Sequence, residues 1–202
     1  MHKNLIITFT RNPELGKVKS RLAKGIGEAS ALEVYKLLLE HTKNVLLKLD
    51  CDKAVYYSVK VRENDIWNPK FFSKHQQFGD DLGERMYNAF DNGFKKGYEK
   101  IIIVGSDLYD LNAETITKAF KKLDQNDNVI GPAEDGGYYL LGMKTLHPSV
   151  FKIENWGTET VYKQTILKLN DNSVYVLNKL NDIDYVEDLV PYTVFKPYLN
   201  NY

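Results

Sequence analysis

Apolar residues fall along this chain in short continuous runs and in helix-spaced stripes, and the two kinds alternate. Residues 4–10 (Asn-Leu-Ile-Ile-Thr-Phe-Thr) and 100–104 (Lys-Ile-Ile-Ile-Val) are apolar along most of their length. That is the pattern of strands buried on both faces. Residues 53–59, 128–131, 138–141 and 173–177 read as further strands. Leu32, Tyr35, Leu38, Leu39, Thr42, Val45, Leu46 and Leu49 recur at helical spacing and predict a long helix over 28–49. Leu82, Met86, Ala89, Phe90, Gly93 and Phe94 predict a second over 82–94. Ile116, Ala119, Phe120 and Leu123 predict a third over 112–123, capped by Asn112. Residues 158–169 read as a helix, and residues 185 to the C-terminus as mostly helix. Residues 12–27 read as a basic, glycine-bearing loop. Residues 62–79 read as irregular, with Trp67, Phe71 and Phe72 as packing residues.

Strands alternating with helices imply a mainly parallel sheet covered on both faces. The run at 138–141 follows the previous strand too closely for a helical crossover, so the sheet is expected to be mixed. The expected fold is a Rossmann-like three-layer α/β sandwich formed as a single domain over 1–202, with no linker or internal repeat. Ligands in open α/β sheets lie at the carboxyl ends of the strands. Three polar segments fall there: those after Thr10, Val104 and Gly131.

Composition narrows the partners. Twenty-seven basic residues balance 27 acidic ones, which argues against a general nucleic-acid or membrane-surface binder. The one cysteine, Cys51, excludes an intrachain disulfide and a cysteine-rich zinc site. The short polar start before Leu5 does not resemble a signal peptide, and no apolar run approaches ~18 residues. These features suggest a soluble cytoplasmic protein, with the oligomeric state left open. His2, His41, His75 and His147 show no metal-ligand spacing, and no Ser/His/Asp triad is legible.

The chemistry gathers in acidic and basic clusters. Gly131-Pro132-Ala133-Glu134-Asp135-Gly136-Gly137-Tyr138-Tyr139 sets two carboxylates beside two glycines between strands. It reads either as a site or as a hairpin turn. The loop carrying Arg11, Lys17, Lys19 and Arg21 follows the first strand. It suits phosphates, although it is neither a Walker loop nor a dinucleotide fingerprint; a solvated loop is the other reading. Asp107, in Gly105-Ser106-Asp107, ends the most apolar strand, where a carboxylate can bind a hard divalent cation. Asp110 suits a helix N-terminus better. In Asn181-Asp182-Ile183-Asp184, Asp184 either caps a helix, with Glu187 completing a capping box, or joins Asp182 as a second metal contact.

Together these motifs, with Pro13-Glu14-Leu15-Gly16-Lys17-Val18-Lys19-Ser20-Arg21-Leu22, Gln77-Phe78-Gly79-Asp80-Asp81-Leu82-Gly83-Glu84-Arg85-Met86 and Trp156, resemble the nucleotide-diphospho-sugar transferase superfamily, the glycosyltransferase-A type of fold. Within it the chain looks like the radical-SAM/selenodomain-associated transferases, relatives of the phospholactate guanylyltransferases. That resemblance implies a divalent metal (Mg2+ or Mn2+) on Asp107, with Asp182 or Asp184 assisting. It implies a nucleotide or nucleotide-sugar donor whose phosphates meet Lys17, Lys19, Arg21 and Arg11. It further implies a nucleotide pocket lined by Gln77, Gly79, Asp81, Gly83 and Arg85, although one of Asp80 and Asp81 also suits a cap for the helix at Leu82. Where the family usually has Cys-Pro after the strand-end aspartate, this chain has Leu108-Tyr109.

Three functions compete. The first is glycosyl transfer to a small acceptor, with Asp135 as the acceptor-side base and Glu134 orienting sugar hydroxyls or the loop. The second is nucleotidyl transfer to a phosphorylated acceptor, with release of pyrophosphate. The third is a nucleotide-binding module without catalysis, against which the retained acids argue.

Overall fold

A computed structural model describes residues 2–169 and 171–199. Its centre is one seven-stranded sheet. The strands are β1 (Asn4–Thr10), β2 (Asp52–Tyr57), β3 (Ser73–Gln76), β4 (Lys100–Val104), β5 (Asn128–Pro132), β6 (Tyr138–Met143) and β7 (Val174–Val176), in the spatial order β3-β2-β1-β4-β6-β5-β7. All neighbours pair in parallel except β6, which runs antiparallel between β4 and β5. The mixed α/β sheet expected from the sequence is therefore present. The close spacing of β5 and β6 leaves room only for a turn, and that turn lies at the carboxyl end of β5.

The helices are α1 (Ser20–Ile26), α2 (Glu28–Leu47), α3 (Leu82–Lys95), α4 (Ala113–Lys122) and α5 (Val161–Lys168). Alternate strand residues feed two cores, as the two-residue period of a strand requires. Ile6, Val55, Ile102 and Val104 pack with α2 and α4. Leu5, Ile7, Ile101 and Ile103 pack with Met86 and Phe90 of α3, together with Phe151. A third cluster joins Leu22 and Ile26 of α1 to Val34 and Leu38 of α2 and to Ile183, Val186 and Phe195. The C-terminal segment is thereby clamped beside the first loop.

Three expectations are corrected. The basic loop is helical over Ser20–Ile26, where Leu22 and Ile26, four residues apart, are buried. Gly25 lets Val186 sit against the backbone where a Cβ would collide. The segment read as irregular contains β3, a polar edge strand recognised by pairing with β2 and not by apolar alternation. The C-terminal region forms two short 3-10 turns, Glu187–Leu189 and Thr193–Tyr198, in place of a helix. Pro191 and Pro197 remove backbone donors there. The last three residues of that expectation lie outside the described part. No helix among the described residues is long and apolar enough to cross a membrane. Cys51 is buried, and burial pushes its thiol up to about 11.

Candidate active site

The loops after β1, β4 and β5 meet, and the sequence from Asn181 to Asp184 closes the group. Lys19 is the hub. Its Nζ lies 3.0 Å from Asp107 Oδ2 and 2.9 Å from Asp184 Oδ1, with only 5% of its side chain exposed. Burial opposes its charge, yet attraction to Asp107 and Asp184 outweighs that and holds the ammonium above its ordinary range. Asp184 gives its other oxygen to Arg21, at 3.1 Å. Burial works against the Asp184 charge, but Lys19 and Arg21 keep its carboxyl below the usual range. Asp184 does not cap a helix. Asp188, within the Glu187–Leu189 turn, reaches back and accepts from the Asp184 and Tyr185 amides at 2.9 and 2.7 Å.

Asp182 is placed differently. Its Oδ1 is buried without a hydrogen-bond partner. Burial, with Asp107 and Asp135 adding repulsion, pushes its carboxyl up to about 8. Asp182 and Asp135 line a cleft of about 200 Å³. Its floor carries Phe9, Met86 and Ile103, and its wall carries Tyr138 and Trp156. Asp135 is held by its own turn: Oδ1 accepts from Gly137 N at 2.8 Å. Gly136 has φ +88°, and a Cβ there would strike the Glu159 backbone, so this turn demands glycine. Glu134 faces away and pairs with Lys179 at 2.7 Å. Of the two adjacent acids in this turn only Asp135 lines the cleft.

Among the described residues, no group of three or more acidic, histidine or cysteine side chains is arranged to hold a metal ion. A hard cation bound through substrate phosphates needs only one or two carboxylates. Such a donor set could be drawn from Asp107, whose Oδ2 pairs with Lys19, and the unpartnered oxygen of Asp182. Asp184 was expected as an alternative ligand, but it is engaged by Lys19 and Arg21.

The other expected contacts divide. Lys17 and Arg11 are exposed on the first loop. Gln77 Nε2 bonds to the Tyr56 carbonyl at 2.9 Å, and Arg85 Nε to the Gly79 carbonyl at 2.9 Å. Asp81 is the cap of α3, accepting from Glu84 N at 2.8 Å. Gly83 serves packing: a Cβ there would collide with the Phe151 carbonyl and come within 2.8 Å of the Trp156 indole. Asp110 accepts from Tyr192 Oη at 2.7 Å, and Asn112 caps α4 as expected. Leu108 is buried and Tyr109 packs against Tyr192 and Phe195.

Residues 41–158 match the family described as "Uncharacterized protein conserved in bacteria (DUF2064)". The chain belongs to this family. The stretch matched in this DUF2064 chain carries Asp107, Asp135 and the 77–85 segment; Lys19, Asp182 and Asp184 lie outside it. Comparison with curated proteins gives no match. A crystal structure of a "putative nucleotide-diphospho-sugar transferase" from Desulfovibrio desulfuricans G20 is 33% identical, with TM-score 0.86, covering 97% of this chain and 89% of that one. Two more distant structures share the fold. One is 4-diphosphocytidyl-2C-methyl-D-erythritol synthase from Anaerococcus prevotii DSM 20548, at 12% identity and TM-score 0.60, covering 97% and 95%. The other is a cytidylyltransferase from Leptospira borgpetersenii serovar Hardjo-bovis (strain JB197), at 10% and 0.58, covering 92% and 80%.

Sequence reasoning about the DUF2064 chain did not find Tyr138, Phe9 or Met86 as cleft residues. Each sits on a strand or helix as an ordinary core residue does. Only the register at the carboxyl ends shows that they face a void.

Proposed function

We propose that this protein is a metal-dependent glycosyltransferase that takes a nucleotide-sugar donor and a small hydroxyl acceptor. The observation that carries the reading is Asp135: its Oδ1 is fixed by Gly137 N while the side chain borders the cleft also lined by Asp182. A carboxylate oriented in this way can remove a proton from an acceptor hydroxyl at Oδ2 as the glycosyl bond forms. Asp107 and Asp182 would hold the divalent ion, which when bound offsets charge growing on the leaving diphosphate. Lys17, Arg11 and the exposed edge of Arg21 are the cations available for donor phosphates. Lys19 acts through Asp107 and Asp184, bracing both carboxylates.

The second reading, nucleotidyl transfer, is favoured by what two distant neighbours are named for. It requires a phosphorylated acceptor. Lys19 and Lys179, the cations paired with the local acids, are both engaged.

The deciding experiment replaces Asp135 by Asn and measures donor binding and transfer separately. Donor affinity is expected to stay within about twofold while transfer falls about 100-fold or more, the scale of removing a general base. Undiminished transfer removes Asp135 as the base and shifts the reading to nucleotidyl transfer.

A further inference from the structure

The cleft beside Asp135 and Asp182 has a lining whose character selects among acceptors. None of the residues that line it is lysine, arginine or histidine. Its polar side chains are the acids Asp135 and Asp182; Tyr138, Tyr139 and Thr158, whose hydroxyls donate to Met86 Sδ, the Asn178 carbonyl and the Asn155 carbonyl; and Trp156, whose buried Nε1 has no hydrogen-bond partner. Two cations beside the cleft's acids are already paired. Lys19 is buried between two aspartates, and Lys179 is paired with Glu134. Tyr139 is also committed, donating to the Asn178 carbonyl at 3.0 Å.

Resting on the transferase reading, we infer that this cleft takes an uncharged hydroxyl compound with one apolar ring face and turns away phosphorylated acceptors. The aromatic wall of Tyr138 and Trp156 offers π-faces against which the C–H face of a ring packs. The Asp135 carboxylate accepts hydrogen bonds from hydroxyls and repels a phosphate, and it repels more strongly beside the apolar side chains of the lining than in open water. A divalent ion held by Asp107 and Asp182 would carry the donor diphosphate, whose negative charge adds to the repulsion. At about 200 Å³ the cleft is smaller than the ~300–1,000 Å³ of sites for drug-sized ligands, so one ring fills it. Trp156 is seated by Gly83, where the α3 backbone comes close to the indole. The Trp156 side of the cleft is therefore packed against helix α3.

The test uses the full chain and matched probes: phenyl β-D-glucoside, methyl β-D-glucoside, myo-inositol and glycerol, each beside its monophosphate ester. Saturation-transfer NMR reports binding at millimolar concentration. At least one neutral member should bind, with saturation concentrated on one ring face. Its ester should bind at least about 30-fold more weakly, the cost of setting like charges together. Asp135→Asn should narrow that gap, and Trp156→Ala should remove neutral binding while nucleotide affinity holds. An ester that binds as well as its parent, or silence of the whole neutral set at about 10 mM, overturns the inference. The two failures are distinguishable. Nucleotide-sugar binding is measured by calorimetry without acceptor; its absence sinks the transferase reading and leaves the selectivity of the cleft standing. An ester that accepts glycosyl from a nucleotide-sugar sinks the inference and leaves the transferase reading intact.

Discussion

Replacing Asp182 by Asn should make the metal-free protein more stable and functionally worse. The buried carboxyl titrates near 8, well above its ordinary 3.8, because burial and the repulsion of Asp107 and Asp135 disfavour its charge. The folded protein thus holds this proton to a higher pH than the unfolded chain does. The group's contribution to stability is most favourable below about pH 4 and erodes as pH rises toward 8, then levels. At about 1.4 kcal/mol for each unit, the displacement bounds the penalty at about 6 kcal/mol. Relaxation of the surroundings around a buried charge takes the expected value well below that bound, to about 2 kcal/mol. Asn keeps the shape and removes the charge. In a chain of 202 residues, that gain raises Tm by about 4–8 °C. The assay is thermal unfolding of both proteins in EDTA between pH 5 and 9. The gap between the two melting curves should be smallest at pH 5 and larger at higher pH. A gap independent of pH, or a variant less stable at pH 8.5, would refute the reasoning. In the same variant, metal-dependent stabilisation by donor nucleotide should disappear.

Further outcomes follow from the same network. Lys19→Met strands two carboxylates and should cost about 2–3 kcal/mol in urea unfolding, less than a fully buried pair because Asp107 and Asp184 keep some solvent contact. Arg21→Ala, at a half-exposed pair, should cost under about 1 kcal/mol; equal losses in the two variants would deny Lys19 its central place. Asp107→Asn should preserve the fold and abolish metal-dependent donor affinity, and calorimetry with and without magnesium decides it. Gly83→Ala should destabilise by more than about 2 kcal/mol and shift the Trp156 emission, and an unchanged spectrum would contradict the described packing.

The layers of the fold could be read from the chain because the strands at β1 and β4 are apolar on both faces and the stripes of α2, α3 and α4 are long. The turn between β5 and β6, and with it the antiparallel strand, followed from spacing alone. Short elements escaped. Helix α1 has seven residues and begins at Lys19 in a left-handed conformation (φ 47°) without a side-chain cap, so neither length nor capping marks it. Strand β3 is polar and betrays itself only by pairing. In the candidate site, residue types at strand ends marked side chains that the structure brings together, but not who pairs with whom. Lys19 and Arg21 look equally basic in the sequence. Burial makes one an internal brace and leaves the other half open to solvent. Glu134 and Asp135 look equally acidic, and the turn sends one to Lys179 and the other to the cleft.

The bond from Lys19 to Asp184 joins residues 165 positions apart, and this separation governs when the protein can first be competent. During synthesis the β1–β4 half of the sheet can assemble while Asp182 and Asp184 are still unmade. Closing so long a loop comes late, after shorter-range contacts have repaid their chain entropy. Until then Lys19 has only Asp107 for a partner and the cleft lacks one wall. Recovery of donor binding in a refolding experiment should accordingly lag behind recovery of sheet and helix signals, making activity a reporter of the last step of folding.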